Sequence, residues 1–249
     1  MFCMNCGTKL QDGAKFCMSC GCKLGVLAET PATEENVVQA QVVQPKPESC
    51  SPYFEKQQQD VKVGDILKLG EWHLDPIEWQ VLAVKDGKAL LLSKYGLICK
   101  KYHSGGLITW ENCDLRKWLN GEFFQKVFKG EAAKCVVESH VPAHDNPDYS
   151  TDPGNDTKDK VFLLSVEEVG QYFKKDEERI CLPLSFVAKE GAYIDENGAS
   201  YWWLRSPGAA ANCDVFIDLD GSAYTHGEFA DNDEFVVRPA LWVDLSKMN

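Results

Sequence analysis

The nine residues Phe2–Leu10, FCMNCGTKL, return as FCMSCGCKL at Phe16–Leu24, identical at seven of nine positions and 14 residues apart. Each copy is a Cys-x-x-Cys-Gly turn. The short gap aims two thiolates at one point, and the glycine lets the backbone curl so that its amides approach the sulfur. Cys3, Cys6, Cys17 and Cys20 together supply the four-sulfur tetrahedral set that zinc prefers. A module spanning residues 1–25 buries too little apolar surface to fold alone, so metal binding must supply its folding energy. Four thiolates on one ion leave no coordination position open, so the expected zinc is single and structural. Cys22, just past the second turn, reads as a bystander that could compete as a ligand. The competing reading is a disulfide or redox dithiol, and the doubled spacing argues against it.

The repeat resembles the short zinc ribbons found at the N-termini of many bacterial multidomain proteins. Behind it, residues 26–60 are rich in Glu, Gln, Pro and small side chains, with no helical or strand period. That composition predicts a flexible linker, with polyproline character near QPKPE. The chain therefore divides into 1–25, 26–60 and a main domain over 61–249.

Net charge is −12, of which the ribbon carries +2, the linker −4 and the main domain −10. An acidic domain repels phosphate backbones, so nucleic acid is not the expected partner. No apolar run approaches 18 residues and no secretory leader pattern opens the chain, so the expectation is no membrane insertion and a cytoplasmic location. Cysteines total 11, an odd number, and those beyond the repeat are scattered singly. Such thiols suit a reducing compartment, and none has a neighbouring histidine that marks a nucleophile.

In the main domain, IEWQVLAV and ALLLSKYGL flank the turn KDGK and predict a β-hairpin. In TWENCDLRKWLNGEFF, Thr109 and Asn112 read as a helix start, Leu115, Trp118 and Leu119 as its apolar face, and Gly121 as its end. Ala143–Lys160 is a polar loop with five aspartates, read as solvated; VFLLS reads as a buried strand, and Ser165 with Glu168 as a capping box. YWWLRS is a strand, CDVFIDL and SAYTH pair about Asp220-Gly221, and EFVVRPALWV closes as a strand whose Pro239 needs an edge or bulge. A two-residue turn sets Ile217 opposite Tyr224 and Val215 opposite His226, whereas a bulge at the glycine swaps the second strand's faces. This order predicts a mixed α+β fold around antiparallel strands.

The succession IEWQVLAV…ALLLSKY, LRKWLNGEFF…VF, TKDKVFLLSVEEV, YWWLRSPG and VVRPALWV resembles a bacterial domain family of unknown function that often follows a zinc ribbon. That family looks related to the C-type-lectin-like fold, which includes formylglycine-generating-type enzymes and retroelement-diversified variable proteins. In the variable proteins, the segment between the tryptophan strand and the final strand displays the ligand-binding positions. Carried onto this chain, the resemblance implies a display segment over Ala209–Val237. Its candidate ligand-binding residues are Asn212, Asp214, Phe216, Asp218, Tyr224, His226, Asp231, Asn232 and Asp233. An exposed aromatic among acids and amides suits recognition of a polar or basic epitope.

Trp202 and Trp203 point to opposite faces of a strand and read as fold anchors, and Arg205 and Arg238 as partners of carboxylates or loop carbonyls. Asp218 and Asp220 fail the EF-hand pattern, since Phe216 and Gly227 stand at its first and last positions. Pro142 between His140 and His144 argues against a helical metal pair. The preferred function is a non-enzymatic module binding a protein, peptide or glycan. The alternative is an oxidative enzyme of the formylglycine-generating type; the sparse Cys181, Cys213 and His226 of the second half speak against it.

Overall fold

A computed structural model describes residues 61–248. The N-terminal repeat with Cys3, Cys6, Cys17 and Cys20, and the whole of the expected linker over 26–60, fall outside those residues. The described chain runs β1 (Ile66–Trp72), β2 (Asp75–Lys85), β3 (Lys88–Ser93) and β4 (Ile98–Cys99). Three short helices follow, α1 (Asp114–Trp118), α2 (Phe124–Val127) and α3 (Glu131–Cys135), then β5 (Val136–Val137), β6 (Ser139–Val141) and β7 (Thr157–Asp159). Helix α4 (Val166–Tyr172) precedes β8 (Trp202–Pro207), β9 (Cys213–Ile217), β10 (Ala223–Phe229), β11 (Val236–Val237) and β12 (Ala240–Asp244). The architecture is mixed α+β and rich in strands. Among the described residues, no helix is long and apolar enough to cross a membrane.

Two five-stranded sheets carry the domain, with orders β1-β2-β3-β12-β5 and β10-β9-β8-β11-β4, beside a β6-β7 ribbon. In the first sheet the expected hairpin forms: Lys85 faces Lys88, and Asp86 and Gly87 take φ of 52° and 72°. Two successive left-handed residues give the turn whose twist matches antiparallel strands, which is why Asp-Gly serves there. His73 and Leu74 adopt the same conformation between β1 and β2 at φ 51° and 71°, without a glycine. Their composition hides the turn from a sequence reading.

Several expectations are corrected by packing. Helix α1 starts at Asp114, capped by Cys113, whose sulfur accepts the Arg116 amide at 3.3 Å; Thr109 only closes the turn before it. Gly121 does not stop the helix. A π-helical turn over Leu119–Phe123 carries it into α2, because Leu115, Leu119 and Phe123 are all fully buried and tertiary packing overrides propensity. Val161–Ser165 is buried as expected but is not a strand. Only Phe162 bridges to Ala240, while the Asn120 side chain takes the Val161 amide and carbonyl, and Arg205 takes the Leu163 carbonyl. Side chains thus fill the backbone bonds that a neighbouring strand would have made.

The closing run EFVVRPALWV divides between the two sheets rather than forming one strand. Val236–Val237 lies between β8 and β4 in the second sheet, and Ala240–Asp244 between β3 and β5 in the first. Pro239 stands at the crossing, where no ladder donor is needed, and its carbonyl accepts the Ser93 amide at 2.9 Å. Arg238 pins that crossing. It donates to the carbonyls of Ser93 at 2.8 Å and Arg179 at 3.3 Å, and lies 5.0 Å over the Trp202 ring. Trp202 and Trp203 are both fully buried, their indole nitrogens bonded to the carbonyls of Arg179 and Lys100. They anchor the fold, as their placement on a strand implied.

Candidate functional site

The hairpin after Trp203 decides which side chains reach the surface. Gly221 takes φ 86° and donates to the Asp218 carbonyl at 3.0 Å, while Asp218 donates to the Ser222 carbonyl at 2.8 Å. The glycine is therefore a bulge at the turn, and the register becomes Phe216 opposite Tyr224 and Ile217 opposite Ala223. Tyr224 joins the Phe216 face, not the Ile217 face that a two-residue turn would give.

From that register a line of rings follows across the second sheet. Tyr193 stacks on Tyr201 at 5.2 Å, Tyr201 meets Phe216 edge-on at 5.6 Å, and Phe216 meets Tyr224 at 5.1 Å. Tyr224 continues to His226 at 6.1 Å, and His226 to Tyr149 at 5.8 Å. Tyr193, Tyr224 and Tyr149 are 44, 47 and 36% exposed, so the line surfaces at both ends and in the middle. Beneath it Phe235 stacks on Trp203 at 4.1 Å and on Tyr201 at 5.2 Å, which ties the surface rings to the core. Rings supported in this way present area at little cost in side-chain entropy.

The polar groups beside the rings are acidic. Partial burial pushes the Tyr201 hydroxyl up, and the nearby charges of Asp218, Glu234 and Asp195 push it further. Among the described residues no cation forms an ion pair with any of these three carboxylates. Asp218 accepts its neighbour's amide, from Leu219 at 2.6 Å, and Asp195 holds the amides of Asn197 and Ala199 at 2.9 and 2.7 Å. At the other end of the line, Asn146 ties the five-aspartate loop to β8 and β10 through the carbonyls of Pro207 and Thr225, at 2.7 and 2.8 Å. Asp148 bonds Thr225 at 2.7 Å, which positions Tyr149 beside His226. That loop is not wholly solvated: Asp159 is 1% exposed and binds Arg116 at 2.8 Å and the Trp110 indole at 3.0 Å.

Of the candidate residues, the structure gathers Phe216, Asp218, Tyr224 and His226 along this face. Phe216 is only 7% exposed, so it floors the surface instead of projecting from it. Asn212 stands before β9, its carbonyl accepting the Ala230 amide at 3.0 Å. Asp231, Asn232 and Asp233 form the turn leading to β11, with Asp233 3.8 Å from Lys101. Tyr149, Tyr193 and Tyr201 belong to the same face and were missed. Their signal is only tertiary, since they come from three separate segments.

Asp214 is the largest departure from a displayed residue. It is 1% exposed, and its Oδ2 has no hydrogen-bond partner. Burial raises its carboxyl well above the usual range, with the Tyr102 hydroxyl as a partial offset. Burial likewise raises Tyr102, beside Asp214 and Cys113, and pushes the Cys113 thiol up to about 12. The three groups lie together out of solvent, and burial disfavours the charged form of each. Cys99 is also pushed up to about 12, and burial raises Cys135, Cys181 and Cys213. None of the described thiols is held as the thiolate that nucleophilic chemistry needs.

Asp214 sets a pH dependence with a definite sign. A folded pKa above the unfolded value of about 3.9 means that the native state holds the proton more tightly. The associated stability is present in full below that unfolded value and is lost as pH rises toward the folded one, at about 1.4 kcal/mol per pH unit. Asp214→Asn removes the titration. The stability of the native chain minus that of the variant, from urea unfolding at a series of pH values, is expected to fall as pH rises from about 4. Parallel pH profiles for the two proteins would refute this assignment.

Elsewhere, a shallow groove of about 330 Å³ is lined by Lys85, Lys88, Glu138, His140 and Trp242 around the first sheet. Among the described residues, no cluster of three or more His, Cys, Asp or Glu could hold a metal ion. Residues 2–24 match a family described as a zinc-ribbon domain. Residues 86–245, more than half of the chain, match a domain of unknown function, DUF6273, and the chain belongs to that family. No curated protein and no solved structure matches the chain.

Proposed function

We propose that this protein is a non-enzymatic binding module, with the ring-lined face of the second sheet as its recognition surface and a four-cysteine zinc ribbon as tether or docking element. The observation that carries the reading is the supported line Tyr193–Tyr201–Phe216–Tyr224–His226–Tyr149, exposed at three of its rings. Exposed aromatics seated on a rigid strand framework are the usual energetic centre of a recognition surface. The raised thiols of the domain support binding over cysteine-based oxidative chemistry.

A C-type-lectin-like fold remains part of the proposal. The tryptophan strand followed by a hairpin and then by the closing strands β11 and β12 supports it. Membership among retroelement-diversified variable proteins extends the same reading to residues 209–237. A reverse transcriptase and a template copy of that segment in adjacent DNA would support the extension.

Screening the full chain against peptide and glycan arrays tests the binding reading. The variant Tyr193→Ala/Tyr224→Ala is expected to lose signal by tenfold or more, about 1.4 kcal/mol. Both side chains are substantially exposed, so the fold should survive. Phe216→Ala is a poorer probe because it opens a cavity beneath the face. Undiminished binding of every detected ligand by the double variant would exclude this face.

A further inference from the structure

Resting on that reading, we infer that the ligand of this face is a peptide segment bearing lysine or arginine, with its cation seated over the Tyr193–Tyr201 stack among Asp195, Asp218 and Glu234. The stack supplies two rings 5.2 Å apart, inclined by 27°, with Tyr193 open to solvent. Ring faces carry the negative end of the aromatic quadrupole and attract a cation approaching within about 6 Å. Elsewhere in this domain rings already take intramolecular cations: Lys100 lies 5.1 Å over Trp118, Lys160 4.6 Å over Phe124, and Arg238 5.0 Å over Trp202. The Tyr193–Tyr201 stack has no such partner among the described residues.

Charge selects the occupant. Glu234 accepts the Tyr193 amide on its backbone carbonyl at 3.0 Å, Asp195 lies two residues beyond Tyr193, and Asp218 two beyond Phe216. None of the three carboxylates is neutralised by an ion pair within the described domain. By contrast, Asp159, Glu168, Glu78 and Asp114 each face a cationic or histidine partner. A surface on which rings and uncompensated carboxylates converge is complementary to a cation on an apolar stem, which describes both lysine and arginine. The rest of the line, Phe216, Tyr224 and His226, offers apolar area for neighbouring residues of an extended peptide. A neutral glycan would use the rings and leave the carboxylates uncompensated.

Titration calorimetry of the full chain against hexa-arginine and hexalysine, with hexaglutamate and a neutral oligosaccharide as comparators, reads the inference directly. The variant Asp218→Asn/Glu234→Gln keeps hydrogen-bonding shape and removes charge. It is expected to bind the cationic peptides at least tenfold more weakly, and Tyr193→Ala to weaken them several-fold. Glu71→Gln/Glu138→Gln makes the same charge change on β1 and just after β5, and is expected to leave binding unaltered. Equal losses in both charge variants would mean diffuse attraction to an acidic domain and would overturn the inference. So would oligosaccharide binding at Tyr193 and Tyr224 without cationic-peptide binding, although the recognition face itself would then stand. If the oligosaccharide and cationic peptides bind with affinities that Tyr193→Ala/Tyr224→Ala leaves unchanged, both the inference and the underlying reading fail.

Discussion

Replacing Cys3 and Cys17 together by serine is expected to remove about one equivalent of zinc per chain. Each substitution removes a thiol from one of the two Cys-x-x-Cys repeats, and a serine hydroxyl is not ionised at neutral pH to replace a thiolate. Structural zinc in modules of this size contributes about 10–16 kcal/mol of apparent binding free energy at pH 7, and that energy is also the module's folding energy. Cys22→Ser should retain the metal, which distinguishes the bystander from the ligands. The affinity has a pH sign as well: protons compete for the thiolates, so zinc is released as pH falls. Metal analysis of fully reduced protein decides the matter, and a native stoichiometry near zero would remove the ribbon from the proposal.

The second large effect is expected at Arg205, which is 4% exposed and holds three parts of the domain together. Its guanidinium pairs with Glu168, donates to the Leu163 carbonyl at 2.7 Å, and donates to the Pro142 carbonyl at 3.2 Å. Glu168 is itself engaged, because its carboxylate accepts the Ser165 amide at 3.0 Å in the capping box that starts α4. Arg205→Met would leave a largely buried carboxylate without its cation and two carbonyls without donors. Breaking a buried pair from one side costs about 3–5 kcal/mol. The midpoint of thermal unfolding should fall by roughly 10 °C, at about 2–4 °C per kcal/mol for a domain of this size. Arg205→Met/Glu168→Met should cost less than the sum of the single changes. Strict additivity would show that the two side chains act independently.

What the sequence reveals and conceals follows from how far each cause reaches along the chain. Asp86-Gly87 and the Ser165–Glu168 capping box are local, and both form as read. So are the tryptophans: alternation alone places Trp202 and Trp203 on opposite faces of one strand. Gly121 and Val161–Ser165 were misread because distant partners decide them. Phe123 draws the helix past a glycine, and Asn120 with Arg205 satisfies a backbone that looks strand-like in isolation. The candidate site divides in the same way. Phe216, Asp218, Tyr224 and His226 share one hairpin, and their common face turned on whether Gly221 forms a bulge. Tyr149, Tyr193 and Tyr201 reach that face from other segments, so nothing in their neighbourhoods announces it. Asp214 was misplaced because strand alternation gives its direction, while Tyr102 and Cys113, more than 100 residues upstream, determine what covers it.

The passage of residues 236–244 from one sheet to the other bears on how the protein is made. β11 fills the gap between β8 and β4, and β12 the gap between β3 and β5, so each sheet waits for a strand synthesised after its neighbours. From Ser93, the end of β3, to Ala240, the first residue of β12, elongation adds 147 residues, 94–240. At about 5–20 residues per second, that interval is on the order of ten seconds. Throughout it the nascent domain exposes the unpaired edge of β3, a run of leucines that invites association with other chains. Holdase chaperones have their longest opportunity in this window, and a transcript broken before Val236 would yield a polypeptide unable to leave it.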